Sequence, residues 1–206
     1  RVEGCMPSRE QLPGETYRVG NRIRVYVLEL KESGRVPQII VSQAHPELVR
    51  ELFELYVPEI EDGTVEIKSI AREAGYRTKI AVHSEDGDVD PVGACIGTRG
   101  VRIQNVVAEL RNEKIDVIRY SNDPVDYISN ALSPARITTV ALYDDNPETG
   151  GKRAEVIVPD DQLSLAIGRE GQNARLAAKL TGWRIDIKSV TEAAFDALQY
   201  WLRTGG

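Results

Sequence analysis

The sequence predicts an α+β protein built largely from two copies of one small unit, each with the element order α-β-β-α-α-β. An internal repeat is the first observation: residues 94–100 match 165–171, and 114–117 match 184–187. The second observation is that apolar residues recur at helical and strand spacing in the same order within both copies. Each copy has roughly 70 residues, which is enough for a small α/β domain.

The first copy is expected to span residues 44–121. Its first helix begins at Pro46, a residue that favours the first helical turn. Strands are predicted over 65–71 and 78–83, and a short helix then leads into a glycine-containing loop. The helix after the loop carries an apolar stripe, and a strand over 115–120 completes the unit.

The second copy is expected to span residues 122–206 and to include a C-terminal helix. Asp123 and Pro124 start its first helix, strands follow over 137–143 and 154–158, and the last strand covers 184–189. Asparagine, proline and glycine favour a turn between the first two strands. Thr191 is predicted to cap the final helix. That helix carries Phe195, Leu198 and Leu202 on one face and is expected to pack on the second copy.

Residues 1–43 follow a different pattern. Two strands are predicted, over 23–30 and 38–42. Two strands are too few for independent stability, so this segment is expected to be the end of a β-barrel that begins upstream. The chain starts with Arg1 rather than methionine, which favours a piece of a longer protein.

Composition limits the possible functions. The net charge is −6 and the pI about 5.1, so any nucleic-acid site must be a local basic surface. Acidic residues concentrate around 59–66, 85–90 and 144–148. No apolar run approaches the roughly 20 residues that span a bilayer. Cys5 and Cys95 are far apart and suit a reducing, cytoplasmic setting.

Two Gly-x-x-Gly loops are the strongest functional signal, Gly97–Gly100 and Gly168–Gly171. A lone loop of this kind is weak evidence, since glycine also serves tight turns between helices. Here both loops follow an isoleucine and precede an amphipathic helix and an Ile-Asp-hydrophobic strand. Glycine lets a phosphate backbone approach closely, and the next helix offers free N–H groups. The pattern therefore predicts two KH modules, which clamp about four nucleotides each.

Basic residues cluster beside both loops although the protein as a whole is acidic. The predicted RNA-binding residues are Ile96, Gly97, Thr98, Arg99, Gly100, Arg102, Lys114, Ile167, Gly168, Arg169, Glu170, Gly171, Gln172, Asn173, Arg175, Lys179 and Arg184. Glu170 would repel a phosphate unless it turns away. Its neighbours Arg169, Gln172, Arg175 and Lys179 are therefore expected to contribute more.

Enzyme motifs do not match. Neither loop ends in the Gly-Lys-Ser/Thr of a P-loop, and the dinucleotide motif Gly-x-Gly-x-x-Gly is missing. No Ser/His/Asp set and no zinc-ligand spacing stands out. The sequence therefore predicts a binding protein without catalytic residues, cofactor or metal.

The stretch from 163 to 177, Leu-Ser-Leu-Ala-Ile-Gly-Arg-Glu-Gly-Gln-Asn-Ala-Arg-Leu-Ala, is the most specific segment, and Leu-Thr-Gly-Trp-Arg-Ile-Asp follows at 180–186. Further characteristic segments are Val57–Ile60, Ala71–Gly75 and Asn130–Ala135. On these segments the chain resembles the NusA family of bacterial transcription termination and antitermination factors. The resemblance implies two tandem type II KH domains, preceded at residues 1–43 by the C-terminal part of an S1-like OB β-barrel.

That resemblance also implies partners. NusA-like proteins bind nascent single-stranded RNA and modulate pausing, termination and antitermination. Contact with RNA polymerase is expected mainly through an N-terminal domain that this chain lacks, and other elongation and antitermination factors are further expected partners. A monomer without membrane contact is expected. Two alternatives stay open: the RNA-binding accessory region of an RNA-processing enzyme, and a ribosome-associated KH protein, against which the low pI counts.

Overall fold

The computed structural model describes residues 2–32, 34–144 and 150–205. The chain forms two compact units, residues 1–117 and 118–206. The turn predicted between the first two strands of the second copy, and most of the acidic stretch at 144–148, lie outside the described residues.

The first unit begins with a three-stranded sheet in the order β1-β3-β2. It comprises β1 (Gly4–Cys5), β2 (Tyr26–Lys31) and β3 (Gln38–Ser42), with β1 parallel and β2 antiparallel to β3. The prediction for β3 is confirmed, whereas β2 starts at Tyr26 rather than Ile23. Since the Arg24 carbonyl accepts a hydrogen bond from the Gln43 side chain at 3.0 Å, the chain there is held by a side chain rather than a strand ladder.

The rest of the first copy has the predicted element order, with one additional short helix after the first, and its last strand ends two residues beyond the unit boundary at 117. Helices α1 (Pro46–Tyr56) and α2 (Pro58–Glu61) precede the antiparallel strands β4 (Glu66–Glu73) and β5 (Arg77–His83). Then come α3 (Pro91–Ile96), the first glycine loop, α4 (Val101–Glu109) and β6 (Lys114–Arg119), with strand order β4-β5-β6. The helices bury their apolar faces, including Phe53 and Val106, in one core with Ile80 and Val82 of β5.

The second unit repeats this architecture. Helix α5 (Pro124–Ala131) starts at Asp123, whose carboxylate accepts from the Val125 N–H as predicted for an N-cap. Strands β7 (Thr139–Asp144), β8 (Lys152–Val158) and β9 (Arg184–Ser189) form a sheet in that order, with β8 and β9 parallel. Between β8 and β9 lie α6 (Leu163–Ile167), the second loop and α7 (Gln172–Thr181), which ends at a left-handed Gly182 as predicted.

The final helix, α8 (Val190–Thr204), differs from prediction in two respects. Its cap is Ser189 rather than Thr191, because Ser189 and Glu192 form a reciprocal capping box. Its predicted inward face is exposed: Phe195 and Leu198 are 59% and 53% accessible. The helix contacts β8 and β9 of the second unit, as expected, but not through this face. The start of α8 is tied to the second unit, where Thr191 bonds Asp160 and Lys188 pairs with Asp196.

Among the helices of the described residues, none has the length and apolar character needed to cross a membrane.

Candidate nucleic-acid interface

The two glycine loops have nearly the same backbone conformation. In the first, Gly97 has φ 75° and ψ 171°, and Arg99 has φ 56° and ψ 24°. In the second, Gly168 has φ 78° and ψ 169°, and Glu170 has φ 55° and ψ 26°. A left-handed conformation is uncommon for a residue other than glycine. The match at four angles therefore shows that the sequence repeat encodes one specific loop geometry.

The first glycine of each loop is required by packing within the protein. A Cβ atom added to Gly97 would lie 2.7 Å from Cγ of Arg102, and one added to Gly168 would lie 2.7 Å from the backbone nitrogen of Asn173. Real Cβ atoms essentially never come so close. The first glycine therefore lets the loop close against the helix that follows it.

The second glycine of each loop faces more open space. A Cβ atom added to Gly100 or Gly171 would meet nothing nearer than 3.8 Å. Both glycines are left-handed and directly precede the first residue of a helix. The N–H groups of the two glycines, and of Val101 and Gln172 after them, already donate to carbonyls of their own loop. What this side of each loop offers an anionic group is therefore room for close approach.

Two predicted RNA-binding residues lie beneath the loops instead of on them. Arg102 donates to Oε2 of Glu59 at 2.7 Å and to the Ala94 carbonyl at 2.8 Å. Asn173, in the corresponding position, is completely buried and donates to the carbonyls of Leu132 and Ala166. Both side chains hold the loop to its own module, so the structure gives them a positioning role. Their direct contact with RNA stays a prediction.

Most of the other predicted residues are accessible. Exposed side chains lie at Thr98, Arg99, Lys114, Ile167, Arg169, Glu170, Arg175, Lys179 and Arg184, and Ile96 and Gln172 are half-buried. Arg175 donates through Nη1 to the Glu170 carbonyl at 3.0 Å, so one of the cations is tied to the loop itself. The described structure thus brings a cluster of cations to the second loop and α7.

An apolar cleft adjoins the second loop. It encloses about 450 Å³, and its apolar lining residues are Ile167, Ala174, Ile185 and Ile187. The other lining residues are charged: Arg153, Glu155, Asp186 and Lys188. Splayed-out bases need an apolar surface to stack on and polar groups to read their edges. The cleft has both, next to the loop that would hold the backbone.

In the first module, the aspartate of β6 is enclosed by cations. Asp116 accepts from Arg77 Nε at 2.8 Å and from Lys79 Nζ at 2.9 Å. The Lys79 side chain is fully buried, and this burial lowers the pKa of its ammonium group to about 8 although Asp116 favours the charged form. In the second module, Asp186 is partly exposed and Arg153 lies 3.7 Å away. The two modules therefore differ in the charge chemistry beside a shared strand motif.

Two protein-family descriptions match the chain, one for each copy of the repeat. Residues 43–120 match the family described as NusA-like first KH domain, and residues 124–195 match the NusA-like second KH domain.

The chain belongs to the NusA family.

Curated relatives agree with this assignment. Proteins named "Transcription termination/antitermination protein NusA" from Halalkalibacterium halodurans and Bacillus subtilis are 56% and 54% identical over 193 residues. Each alignment covers 94% of this chain, and 49% and 51% of the respective relative. The Thermus thermophilus protein of the same name is 49% identical over 95% of this chain and 49% of its own length. The chain thus spans about half the length of these NusA proteins.

A solved structure, "Crystal structure of APE1850", shares the fold with a TM-score of 0.51 at 23% identity, over 69% of this chain and 97% of that one. The prediction of two tandem KH domains in an α+β chain is confirmed by the two NusA-like domain matches.

The sequence indicated the loops and Arg102, but not the Glu59 carboxylate that pairs with Arg102. It also did not indicate the pairing of Lys79 with Asp116. The partners in both pairs are far apart in the chain, and no periodic pattern links them. A weak signal existed for Glu59, because it lies in one of the segments on which the NusA resemblance rests.

Proposed function

We propose that this chain binds single-stranded RNA through its two KH modules, as the RNA-binding part of a NusA-type factor that modulates pausing, termination and antitermination. One observation carries the proposal: both loops have the same conformation, with an inward glycine packed on the next helix and an outward glycine facing open space. The cations beside the second loop and the cleft next to it supply charge and a base-stacking surface.

The proposed partners are those of the whole factor. Nascent RNA is the ligand of this part, and RNA polymerase and other elongation factors are partners of the complete protein. We place the activity in the cytoplasm and expect the chain to act as a monomer. For the domain division we propose residues 1–43, 44–121 and 122–206, the first being the end of an S1-like barrel.

The test replaces the two variable residues of each loop by aspartate, in each loop alone and in both together. Aspartate tolerates the left-handed conformation that Arg99 and Glu170 adopt, so the loop geometry can survive while its charge turns negative. The matched control places asparagine at the same positions, because asparagine tolerates the same conformation without charge.

Affinity for a single-stranded RNA is measured by fluorescence anisotropy at two salt concentrations. The variant with aspartates in both loops, the double aspartate variant, is expected to lose more than about tenfold in affinity. The asparagine control should lose less. Normal binding by the double aspartate variant, with unchanged thermal unfolding, would show that the loops are not the RNA site.

A further inference from the structure

A second basic surface lies in the first unit, away from the glycine loop. Residues 16–28 include no acidic residue but three arginines, Arg18, Arg22 and Arg24, in a protein whose net charge is −6. All three arginines are exposed. The segment runs from the N-terminal region into β2, and a cleft of about 320 Å³ opens between it and the C-terminal end of α4.

The segment is held in place by a buried amide. Gln43, 2% exposed, accepts from the Tyr17 hydroxyl at 2.6 Å and donates to the Arg24 carbonyl at 3.0 Å. Tyr17 also accepts from the Leu12 N–H, so its hydroxyl is committed within the protein. Two points of the segment are thereby fixed to one side chain, and Arg22 and Arg24 are presented from a defined backbone.

Arg111 approaches the same cleft from the first KH module. It has φ 56° and Asn112 has φ 65°, so two successive residues other than glycine are left-handed. Such conformations cost free energy and persist where the surroundings impose them. The guanidinium of Arg111 is 3.6 Å from Glu15, a loose pair at a half-exposed position. The strained turn thus places a cation at the cleft that is not tightly neutralised.

One carboxylate lies in the cleft, and its hydrogen bonds are made within the protein. Oε1 of Glu109 accepts from the Tyr56 hydroxyl at 2.7 Å and from Arg24 Nε at 2.9 Å. Arg22 makes no ion pair with any of the residues that the structure describes. Arg22, Arg24 and Arg111 outnumber the two carboxylates that pair with them, Glu109 and Glu15, so the cleft keeps an excess of positive charge.

Helix α4 connects this cleft to the first loop. It begins directly after Gly100 and ends at Glu109, a distance of about 13 Å at 1.5 Å per residue. Its exposed residues between these ends, Gln104, Asn105 and Ala108, carry no charge. An anionic strand held at the loop could therefore run along α4 to the arginines without meeting an exposed carboxylate on the helix.

We infer that the cleft lined by Asn21, Arg22, Arg24, Gln43, Glu109 and Arg111 binds a backbone phosphodiester of the RNA strand that the first loop holds. This inference rests on the proposed RNA binding and extends it beyond the KH loop. The ligand group is the phosphodiester, so the cleft adds affinity and length to the binding site without reading sequence.

The experiment compares a short RNA of about four nucleotides, the size of one KH footprint, with a long one of roughly a dozen. The variant combines Arg22→Gln with Arg111→Gln in the full chain. Arg35→Gln is the matched control, because Arg35 is an exposed arginine of the same unit located beyond the opposite end of β2. Thermal unfolding confirms that each variant is folded.

The double variant is expected to bind the long RNA roughly three- to tenfold more weakly and the short RNA normally. The slope of log affinity against log salt should fall by about 0.7 for each phosphate that the arginines no longer neutralise. The double variant should also lose affinity for a long single-stranded DNA of the same sequence, by the same factor relative to the wild type. The reason is that a phosphodiester contact does not involve the 2′-hydroxyl.

Three results would overturn the inference: unchanged affinity for the long RNA, an equal loss for the short RNA, or a loss confined to RNA. A failure of the proposed function would be detected by a different set of variants. In that case the aspartate loop variants would bind both RNAs normally, whatever the arginine variant does.

Discussion

The α-carbon of Gly168 lies so close to Asn173 that an added Cβ would stand 2.7 Å from the Asn173 backbone nitrogen. Asn173 is buried, and its amide bonds two carbonyl groups of its own module. The loop that is proposed to hold RNA is therefore packed against the helix that supports it.

Replacing the two glycines of the second loop should have unequal effects. Gly168→Ala is expected to destabilise by about 2–4 kcal/mol, because alanine at this φ and ψ is strained and also collides with backbone. Gly171→Ala should cost about 1 kcal/mol, since the space around it is open and the left-handed conformation is the main penalty. Urea unfolding of both variants gives the comparison, and equal losses would contradict it.

Removing one partner of the buried ion pair in the first module should be strongly destabilising. Arg72 and Glu113 are both fully buried, and the Glu113 carboxylate also accepts from the Gly75 N–H and the Thr78 hydroxyl. Glu113→Gln leaves the Arg72 charge uncompensated, for an expected loss of about 3–5 kcal/mol in the free energy of unfolding.

The matched control for that variant is Glu66→Gln, which breaks the exposed pair with Lys68 and should cost less than about 1 kcal/mol. Denaturant unfolding measures both. Similar losses for the two variants would show that the Glu113 network contributes no more than a surface pair.

Lys79 should make the stability of the first module depend on alkaline pH. The pKa of Lys79 is about 8 in the folded protein, whereas the ordinary value, which applies to the unfolded chain, is 10.5. Between pH 8 and pH 10.5 the folded state therefore binds fewer protons than the unfolded state. Stability from this group must therefore rise with pH across that window, because the penalty for burying the charged ammonium is fully present below pH 8 and disappears by about 10.5.

The measurement is the free energy of unfolding of the wild type minus that of Lys79→Met, at several pH values from about 7 to about 10.5. This difference should increase by about 2–3 kcal/mol toward high pH. All other titrating groups are present in both proteins, so their contributions cancel in this difference. A flat difference would mean that Lys79 keeps its ordinary pKa when folded.

The apolar face of α8 should contribute little to the stability of the second unit. Phe195, Leu198 and Leu202 are each more than half exposed, so replacing all three by alanine should cost less than about 1 kcal/mol. Leu176→Ala in α7 removes a fully buried side chain and should cost about 2–5 kcal/mol. Thermal unfolding compares the two, and a large loss for the α8 variant would indicate that this face is covered in solution.

The sequence by itself determined the repeat, the order of elements and the two loops. These features depend on neighbours within a few residues: Pro124 after Asp123 starts a helix, Gly182 ends one, and Gly-x-x-Gly turns one helix into the next. Local rules of capping and periodicity act at that range, which is why the boundaries of β3 and β9 were predicted as they are observed.

Tertiary structure decided which of the polar residues near the loops are free. Arg102 and Asn173 carry side chains typical of RNA contacts, yet one pairs with Glu59 and the other is buried against Leu132, partners about 40 residues away. Lys79 likewise pairs with Asp116, a residue distant in the sequence. The apolar face of α8 is a different case, because its residues have helical spacing and yet are exposed in the fold. Periodicity can indicate which face of a helix is apolar, but the partner of a polar side chain and the segment that covers an apolar face are set by residues distant in the sequence.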